Sequence, residues 1–313
     1  MKDAHPYNKS AALADILRRQ RVVFIVNPKA GTRMQRRIRE SIEKHLDHRK
    51  FEHGIWFTEK AGHATELTRK AVADGCDIVV AVGGDGSINE VACGLIGTEA
   101  VLGIIPAGSG NGLAMHLGYG RSIDKAMQKL NTATPRSIDC GLLNGRPFFN
   151  IAGIGFDGLV SNLMQGRGKR GFANYFLKSV EAGLTYTAKP CTIETDGKTI
   201  EETCFTVSIA NGPMYGYNFQ IAPNARLDDG QFEVVILKDA PRWQYFAAAA
   251  ATFKGNIYDA PFVEHFPATS VKIRCAGENF VHLDGEGTQI EGDLQFEIRR
   301  GALRVLVPAA TSN

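Results

Sequence analysis

The sequence predicts an α/β N-terminal domain with a mostly parallel sheet, followed by a β-sandwich C-terminal domain. Three observations predict it. Strand and helix patterns alternate over residues 22–130. Polar, glycine-bearing turns follow several of these strands, at the carboxyl ends where open α/β sheets bind ligands. After about residue 135 the pattern changes to regularly spaced short strands with turn residues between them. The change near Pro135 divides the chain into residues 1–135 and 136–313, with a cleft between them as a ligand site. The last residues are free to pack back on the first domain.

Bulk properties exclude several classes. A chain of 313 residues can bury two cores, and 44% hydrophobic with 22% charged residues is ordinary globular composition. A net charge of +3 is too small for a nucleic-acid binder. No apolar run is long enough to span a membrane and no signal-peptide core stands at the N-terminus, so the cytoplasm is the expected compartment. The six cysteines (Cys76, Cys93, Cys140, Cys191, Cys204 and Cys275) are scattered without a CxxC pair, which predicts reduced, mostly buried thiols. Residues 1–20 are polar and then weakly amphipathic, readable as a frayed lead-in helix or as a basic membrane-surface arm.

Taken in order, residues 22–26 are an apolar strand ended by Asn27-Pro28-Lys29-Ala30-Gly31. Ile38, Ile42 and Leu46 then mark a helix with a basic face of Arg33, Arg36, Arg37 and Arg39. Residues 51–58 read as a strand and 63–73 as a helix. Residues 78–82 are apolar throughout, as in a strand buried on both faces. That strand breaks at Gly83-Gly84-Asp85-Gly86, and Ile88, Val91, Ala92 and Leu95 continue at helical spacing. Ser87 and Glu90 fit a capping box, so Ser87 is the expected N-cap. A side-chain-poor turn entering a helix N-terminus gathers backbone N–H groups and the positive dipole end into a phosphate cradle. Asp85 is the informative residue there. A carboxylate beside phosphate is unfavourable unless a cation bridges them or it orients a catalytic group; the alternative is a structural Asp in a tight turn.

Residues 101–105 form the next strand, followed by Pro106-Ala107-Gly108-Ser109-Gly110-Asn111-Gly112, and residues 123–130 a helix. No G-x-x-x-x-G-K-[ST] occurs, so this is not a P-loop, and neither the Gly83–Gly86 turn nor the Pro106–Gly112 turn fits G-x-G-x-x-G, which leaves a dehydrogenase-type site with little support.

In the second half, strands at 137–143 and 147–151 flank the hairpin signal Asn144-Gly145. Further strands are expected at 191–195, from 198 after Asp196-Gly197, and at 205–210, 232–237, 270–275, 280–283, 295–298 and 303–307, with helices near 172–186 and 242–253. Leu283-Asp284-Gly285-Glu286 places two carboxylates at a strand end, where a turn with solvated acids competes with a proton-accepting or magnesium-holding pair. Gln165-Gly166-Arg167-Gly168-Lys169-Arg170-Gly171-Phe172 suits either a solvated loop or contact with an anionic bilayer, testable by serine substitution of its basic residues.

Several of these stretches match one family in order. Gly83 to Glu90 resembles the GGDG(T/S)xNE signature of the diacylglycerol-kinase-like lipid kinases, a superfamily that includes sphingosine and ceramide kinases and, more distantly, NAD kinases. Asn27-Pro28-Lys29-Ala30-Gly31 is similar to the NPxSG element, with Ala30 in place of Ser and Thr32 before Arg33, so Lys29 and Arg33 both stay open as phosphate contacts. Pro106 to Asn111 resembles the PxG(T/S)xN turn, in the form found in the sphingosine-kinase branch. The resemblance implies an ATP site lined by Asn27, Thr58, Gly83, Gly84, Asp85, Gly86, Ser87, Ile88, Asn89 and Ser109.

Arg226-Leu227-Asp228-Asp229-Gly230-Gln231-Phe232 resembles the DDGxF/L segment, implying a structural Mg2+ held by the Asp229 carboxylate and main-chain oxygens of Arg226 and Gln231; a plain hairpin turn is the alternative. The DGE element implies Asp284 or Glu286 as proton acceptor, and a GxGFDA-like stretch with Gly158 replacing Ala implies that Asp157 faces the acceptor hydroxyl.

The implied function is an ATP- and Mg2+-dependent lipid kinase, peripheral at the membrane. It would phosphorylate a lipid alcohol of diacylglycerol or sphingoid-base type, with Asp85 positioning phosphate, metal or acceptor. An NAD kinase shares GGDG but fits the DDG and DGE elements less well. A non-catalytic lipid- or nucleotide-binding regulator has no need of Asp85, Asp284 and Glu286 together. The lipid, the nucleotide preference and the oligomeric state, a homodimer included, stay open.

Overall fold

The computed structural model describes residues 19–28, 34–164 and 172–309, side chains of 172–176 excepted. The stretches 1–18, 29–33 and 165–171 lie outside it, and with them Lys29, Arg33, Arg167, Lys169, Arg170 and most of the expected N-terminal arm.

Strand β1 (Gln20–Val26) leads to helix α1 (Met34–His45), which buries Met34, Ile38 and Ile42 and leaves Arg36, Arg37 and Arg39 exposed. Then come β2 (Phe51–Phe57), α2 (His63–Ala73), β3 (Ile78–Gly83), α3 (Asp85–Leu95), β4 (Val101–Pro106), the short α4 (Gly112–His116) and α5 (Ile123–Leu130). The first four strands are parallel, in the order β4-β3-β1-β2. Every residue of β3 and β4 is buried, the consequence of helices covering both faces of a parallel sheet.

The second half follows the expected change. Strands β5 (Thr134–Leu143) and β6 (Arg146–Phe148) turn at Asn144 (φ 46°) and Gly145 (φ 80°), the left-handed pair that a type I′ hairpin requires. The single strand expected at 147–151 is divided instead. β6 ends at Phe148 and β7 (Ile151–Gly155) begins three residues on, because the Asp284 carboxylate takes the N–H groups of Phe149 and Asn150 out of the ladder, both at 2.9 Å.

Helices α6 (Phe156–Met164) and α7 (Phe172–Thr185) precede the β8 (Lys189–Thr195) and β9 (Lys198–Ala210) hairpin; β10 (Phe232–Lys238) and α8 (Arg242–Thr252) follow. The chain closes with β11 (Val263–Ala268), β12 (Ser270–Cys275), β13 (Asn279–Leu283), β14 (Glu286–Ile290) and β15 (Leu294–Val307). The sequence reading omits β11 and β14 and divides β15 in two. The division marks a real irregularity, a register shift between Arg299 and Leu303 around Gly301 (φ 58°).

All fifteen described strands join one hydrogen-bonded network. β15 makes the join: it runs antiparallel to β5 and β12, and at Val305 it pairs in parallel with Leu102 of β4. Cores fill both halves, one around Phe24, Val80 and Leu102, another around Phe148, Phe232 and Phe296. Among the described residues no helix is long and apolar enough to cross a membrane.

The cysteine expectation needs correction. Cys191 and Cys275 form a disulfide, while Cys76, Cys93, Cys140 and Cys204 are free thiols. The pair is 84 residues apart in sequence yet directly opposed in the β8–β12 ladder. Spacing along the chain carries no trace of a contact made by strand register.

Candidate active site

The glycine turn after β3 does enter a helix, but three residues earlier than the capping box suggests. Gly84, in an extended conformation, occupies the N-cap position and Ser87 lies inside α3. The Glu90 carboxylate does not return to its own helix. It accepts N–H bonds from Gly62 (2.9 Å) and Ala64 (3.0 Å), capping α2 across the interface. Ser87 is left to accept a bond from Asn27 Nδ2 at 3.2 Å, joining the end of β1 to the turn. Thr58 N–H bonds to Val26 O (3.0 Å), so the ends of β1, β2 and β3 stand level.

Asp85 opens α3 and clamps two turns together. Its Oδ2 accepts the Asn111 N–H and its Oδ1 the Gly112 N–H, both at 2.8 Å. Gly84 and Gly108 pack backbone to backbone beside this clamp, and the Asn111 side chain closes its own turn through Gly108 N–H (3.1 Å) and Gly108 O (2.7 Å). Burial pushes the Asp85 carboxyl up to about 6 despite the two N–H donors, and the nearby Asp284 charge adds to the rise. Ser109 lies exposed on the same turn. Ile88 turns away from this group: its side chain is buried in the core and its N–H bonds to Gly84 O at 3.0 Å.

The DGE segment is a hairpin connection between β13 and β14. Asp284 (φ 50°) and Gly285 (φ 87°) are its two turn residues, and Leu283 pairs with Glu286. The turn backbone faces out, yet the Asp284 carboxylate is enclosed by four donors. Oδ1 accepts the N–H groups of Asn150 (2.9 Å) and Ile151 (3.1 Å); Oδ2 accepts Phe149 N–H (2.9 Å) and Asn89 Nδ2 (2.8 Å). Burial raises its pKa, against the lowering effect of these bonds.

Glu286 is placed differently. It is exposed and lies over the first turn of α3, where a Cβ on Gly86 would collide with its Oε1. The GGDG and DGE elements, two hundred residues apart, thus meet at Gly86–Glu286 and Asn89–Asp284.

Asp157 stands in the first turn of α6. Its Oδ2 accepts bonds from Tyr215 OH (2.6 Å) and Ser208 Oγ (3.1 Å). The family's alanine after this Asp has no room here: a Cβ at Gly158 would overlap the Phe280 carbonyl. Buried His282 has its ring 5.5 Å from Tyr215. Its Nδ1 accepts Gly285 N–H at 3.3 Å, and burial lowers its pKa, which keeps the imidazole neutral with the proton on Nε2.

The Arg226–Phe232 segment is tied to β5 and β15. Asp229 Oδ1 accepts Gln231 N–H (3.1 Å), and Gly230 N–H reaches Asp139 Oδ2 (2.7 Å). Arg226 directs its guanidinium at Asp228, 3.7 Å away, and Asp229 is exposed. A carboxylate and main-chain carbonyls are the kind of oxygen donors that suit a hard cation. Among the described residues no group of three or more His, Cys, Asp or Glu is arranged for a metal.

Sequence reasoning passed over Asp139, Ser208, Tyr215 and His282. Asp139 is buried within an apolar strand and also accepts Gly301 N–H at 2.7 Å, tying the DDG turn to the β15 irregularity. An acid inside an apolar strand was the available signal. Tyr215 lies in a connection with no pattern to mark it.

Comparisons with known proteins show which family the chain resembles. The family model for the diacylglycerol kinase catalytic domain matches residues 21–143. That for the YegS C-terminal NAD kinase beta sandwich-like domain matches residues 150–307. The diacylglycerol kinase of Bacillus subtilis (strain 168) is 32% identical over 292 residues, 88% of this chain and 93% of that protein. The diacylglycerol kinase of Staphylococcus carnosus (strain TM300) is 28% identical over 274 residues, 86% of this chain and 89% of that one. A crystal structure from Bacillus anthracis str. Sterne, provisionally named a diacylglycerol kinase, is similar with a TM-score of 0.78 at 26% identity, covering 94% of this chain and 99% of its own. The chain therefore belongs to the diacylglycerol-kinase-like family of lipid kinases, enzymes that transfer a phosphoryl group to an alcohol.

Proposed function

We propose that this chain phosphorylates the free hydroxyl of diacylglycerol, with ATP as donor and Mg2+ as its metal, in the cleft between the Gly83–Asn89 turn and the β13–β14 hairpin. The observation that carries the reading is the position of Glu286 over Gly86, at the helix N-terminus best suited to phosphate. The opening N–H groups of α3, which a helix leaves without intrahelical partners, are available to the phosphate oxygens. Asn27, Thr58, Gly83, Gly84, Ser87, Asn89 and Ser109 border the nucleotide.

Glu286 accepts the lipid hydroxyl proton as that oxygen bonds to the γ-phosphorus and the bond to the ADP leaving oxygen breaks. Asp284, with its four donors already engaged, holds the hairpin that aims Glu286. Asp85 positions the nucleotide turn through Asn111 and Gly112. Asp157, oriented by Tyr215 and Ser208, meets the acceptor. The Asp229 carboxylate and the carbonyls of Arg226 and Gln231 would hold a Mg2+, which supplies fixed positive charge to the DDG turn.

Phosphate transfer from labelled ATP to a panel of lipid alcohols in detergent micelles tests the reading. Diacylglycerol should be labelled in a Mg2+-dependent way, and Glu286→Gln should lower turnover by roughly 10²–10⁴-fold. Labelling of NAD alone would replace the substrate. ATP binding without any product would favour a non-catalytic regulator.

A further inference from the structure

Six large apolar side chains are exposed among the described residues: Leu163, Leu177, Leu184, Trp243, Phe246 and Phe253. All belong to α6, α7 and α8 or, for Phe253, to the C-cap of α8. Trp243 is the most open, at 68% exposure. Along α8 the outward positions Trp243, Phe246, Ala247, Ala250 and Phe253 recur at helical spacing, while Ala248 and Thr252 face the core. No charged residue stands between Arg242 and Lys254, so a surface helix here has an apolar outer face. A clustered patch of this kind marks a binding surface rather than ordinary scatter.

We propose that the outer face of α8 is a membrane-docking surface, inserting Trp243, Phe246 and Phe253 into an anionic lipid bilayer. Charge favours that occupant. Arg242 and Lys254 bracket the apolar stretch and have no carboxylate partner among the described residues, and α8 carries no acid. The exposed acid on the adjoining helix, Glu181, is already matched by Lys178 at 2.5 Å. A second copy of the same face would set Arg242 and Lys254 against their own counterparts with no acid on α8 to balance them, an unfavourable two-fold contact. Anionic headgroups supply that balance, and an indole at the edge of an apolar face suits the interfacial zone. Arg242 also donates to the carbonyls of Gly183 and Tyr186, which ties the start of α8 to the end of α7 beside Leu184.

The face is continuous with the acceptor side of the cleft. Phe253 packs edge-on against Phe219 at 5.5 Å, Phe219 against Tyr215 at 6.0 Å, and Tyr215 donates to Asp157. On the other side Tyr245 stacks on Phe205 at 3.9 Å and Phe205 on Phe156 at 4.6 Å, next to Asp157 in the chain. Docking on α8 therefore brings the bilayer to the aromatic layer under the acceptor carboxylate. The purpose of the surface rests on the lipid-kinase reading; its existence does not.

The test uses the full chain with Trp56→Phe, which leaves Trp243 as the sole tryptophan. With phosphatidylglycerol vesicles, Trp243 emission should shift to the blue and be quenched by brominated acyl chains, more weakly with pure phosphatidylcholine. Trp243→Ser/Phe246→Ser/Phe253→Ser, checked for an intact thermal melt, should partition at least tenfold less. It should also lose at least tenfold activity on vesicle-borne diacylglycerol while keeping turnover on a short-chain diacylglycerol below its micelle concentration. Unshifted Trp243 emission, or a triple variant that partitions like the parent, overturns the proposal. So does a triple variant that turns a dimer into a monomer without altering vesicle binding, which assigns the face to self-association. Absence of kinase activity on every lipid would sink the functional reading and leave the vesicle result to decide the surface.

Discussion

At the scale of single residues, Asp284 and Glu286 show how two adjacent carboxylates come to differ. Both leave the same hairpin, but the left-handed turn directs the Asp284 carboxylate at three backbone N–H groups and Asn89. Removing it leaves those donors unsatisfied, so Asp284→Ala should lose ~3–5 kcal/mol in urea unfolding, as for loss of one partner of a buried charged pair. Exposed Glu286→Ala should change stability by no more than about 0.5 kcal/mol.

Asp85 makes a different prediction, in pH. Its carboxyl rises from 3.8 to about 6 on folding, so the native state binds this proton more tightly than the unfolded chain does. The contribution favours the fold below pH 3.8 and is lost as the pH rises through 6, an effect of about 3 kcal/mol. Asp85→Asn should remove that part of the slope, as urea midpoints at pH 4.5 and 7 will show. In the parent enzyme, activity that needs ionised Asp85 should fall on the acid side with an apparent pKa near 6.

At the scale of elements, the packing of helix on strand explains departures from the family pattern. Gly158 lets α6 approach the backbone of β13 at Phe280. Gly158→Ala should cost ~1–3 kcal/mol by overpacking and also lower turnover, because Asp157 rides on the displaced helix. A thermal melt and a kcat measurement on one preparation test both parts. The β8–β12 pair carries the Cys191–Cys275 bond, which closes a long segment of the second half. Its reduction should lower stability by about 2–4 kcal/mol. Thiol alkylation of the unfolded, unreduced chain should modify four of the six cysteines.

At the scale of the whole molecule, β15 makes the two halves interdependent. Its register with β5, β12 and β4 carries one network across both cores. Val305→Asp, at a fully buried position on that strand, should unfold both halves in one transition, with far- and near-ultraviolet circular dichroism changing together. A loss confined to the second half would show that the join carries little energy.

Local chemistry determined much of this protein by itself. Apolar runs define β1, β3 and β4, because a doubly covered parallel strand needs no polar face. The Asn144-Gly145 and Asp196-Gly197 turns follow from residues that tolerate positive φ. The turn from β3 into α3 follows from the glycines that break the apolar run. What only the tertiary structure decided are the relations between distant segments: Glu90 capping α2 instead of its own helix, Cys191 opposing Cys275, Asp139 anchoring two turns, and Glu286 rather than Asp284 standing exposed over Gly86. Each depends on strand register and helix packing, which bring together groups whose separation in sequence carries no information about their separation in space.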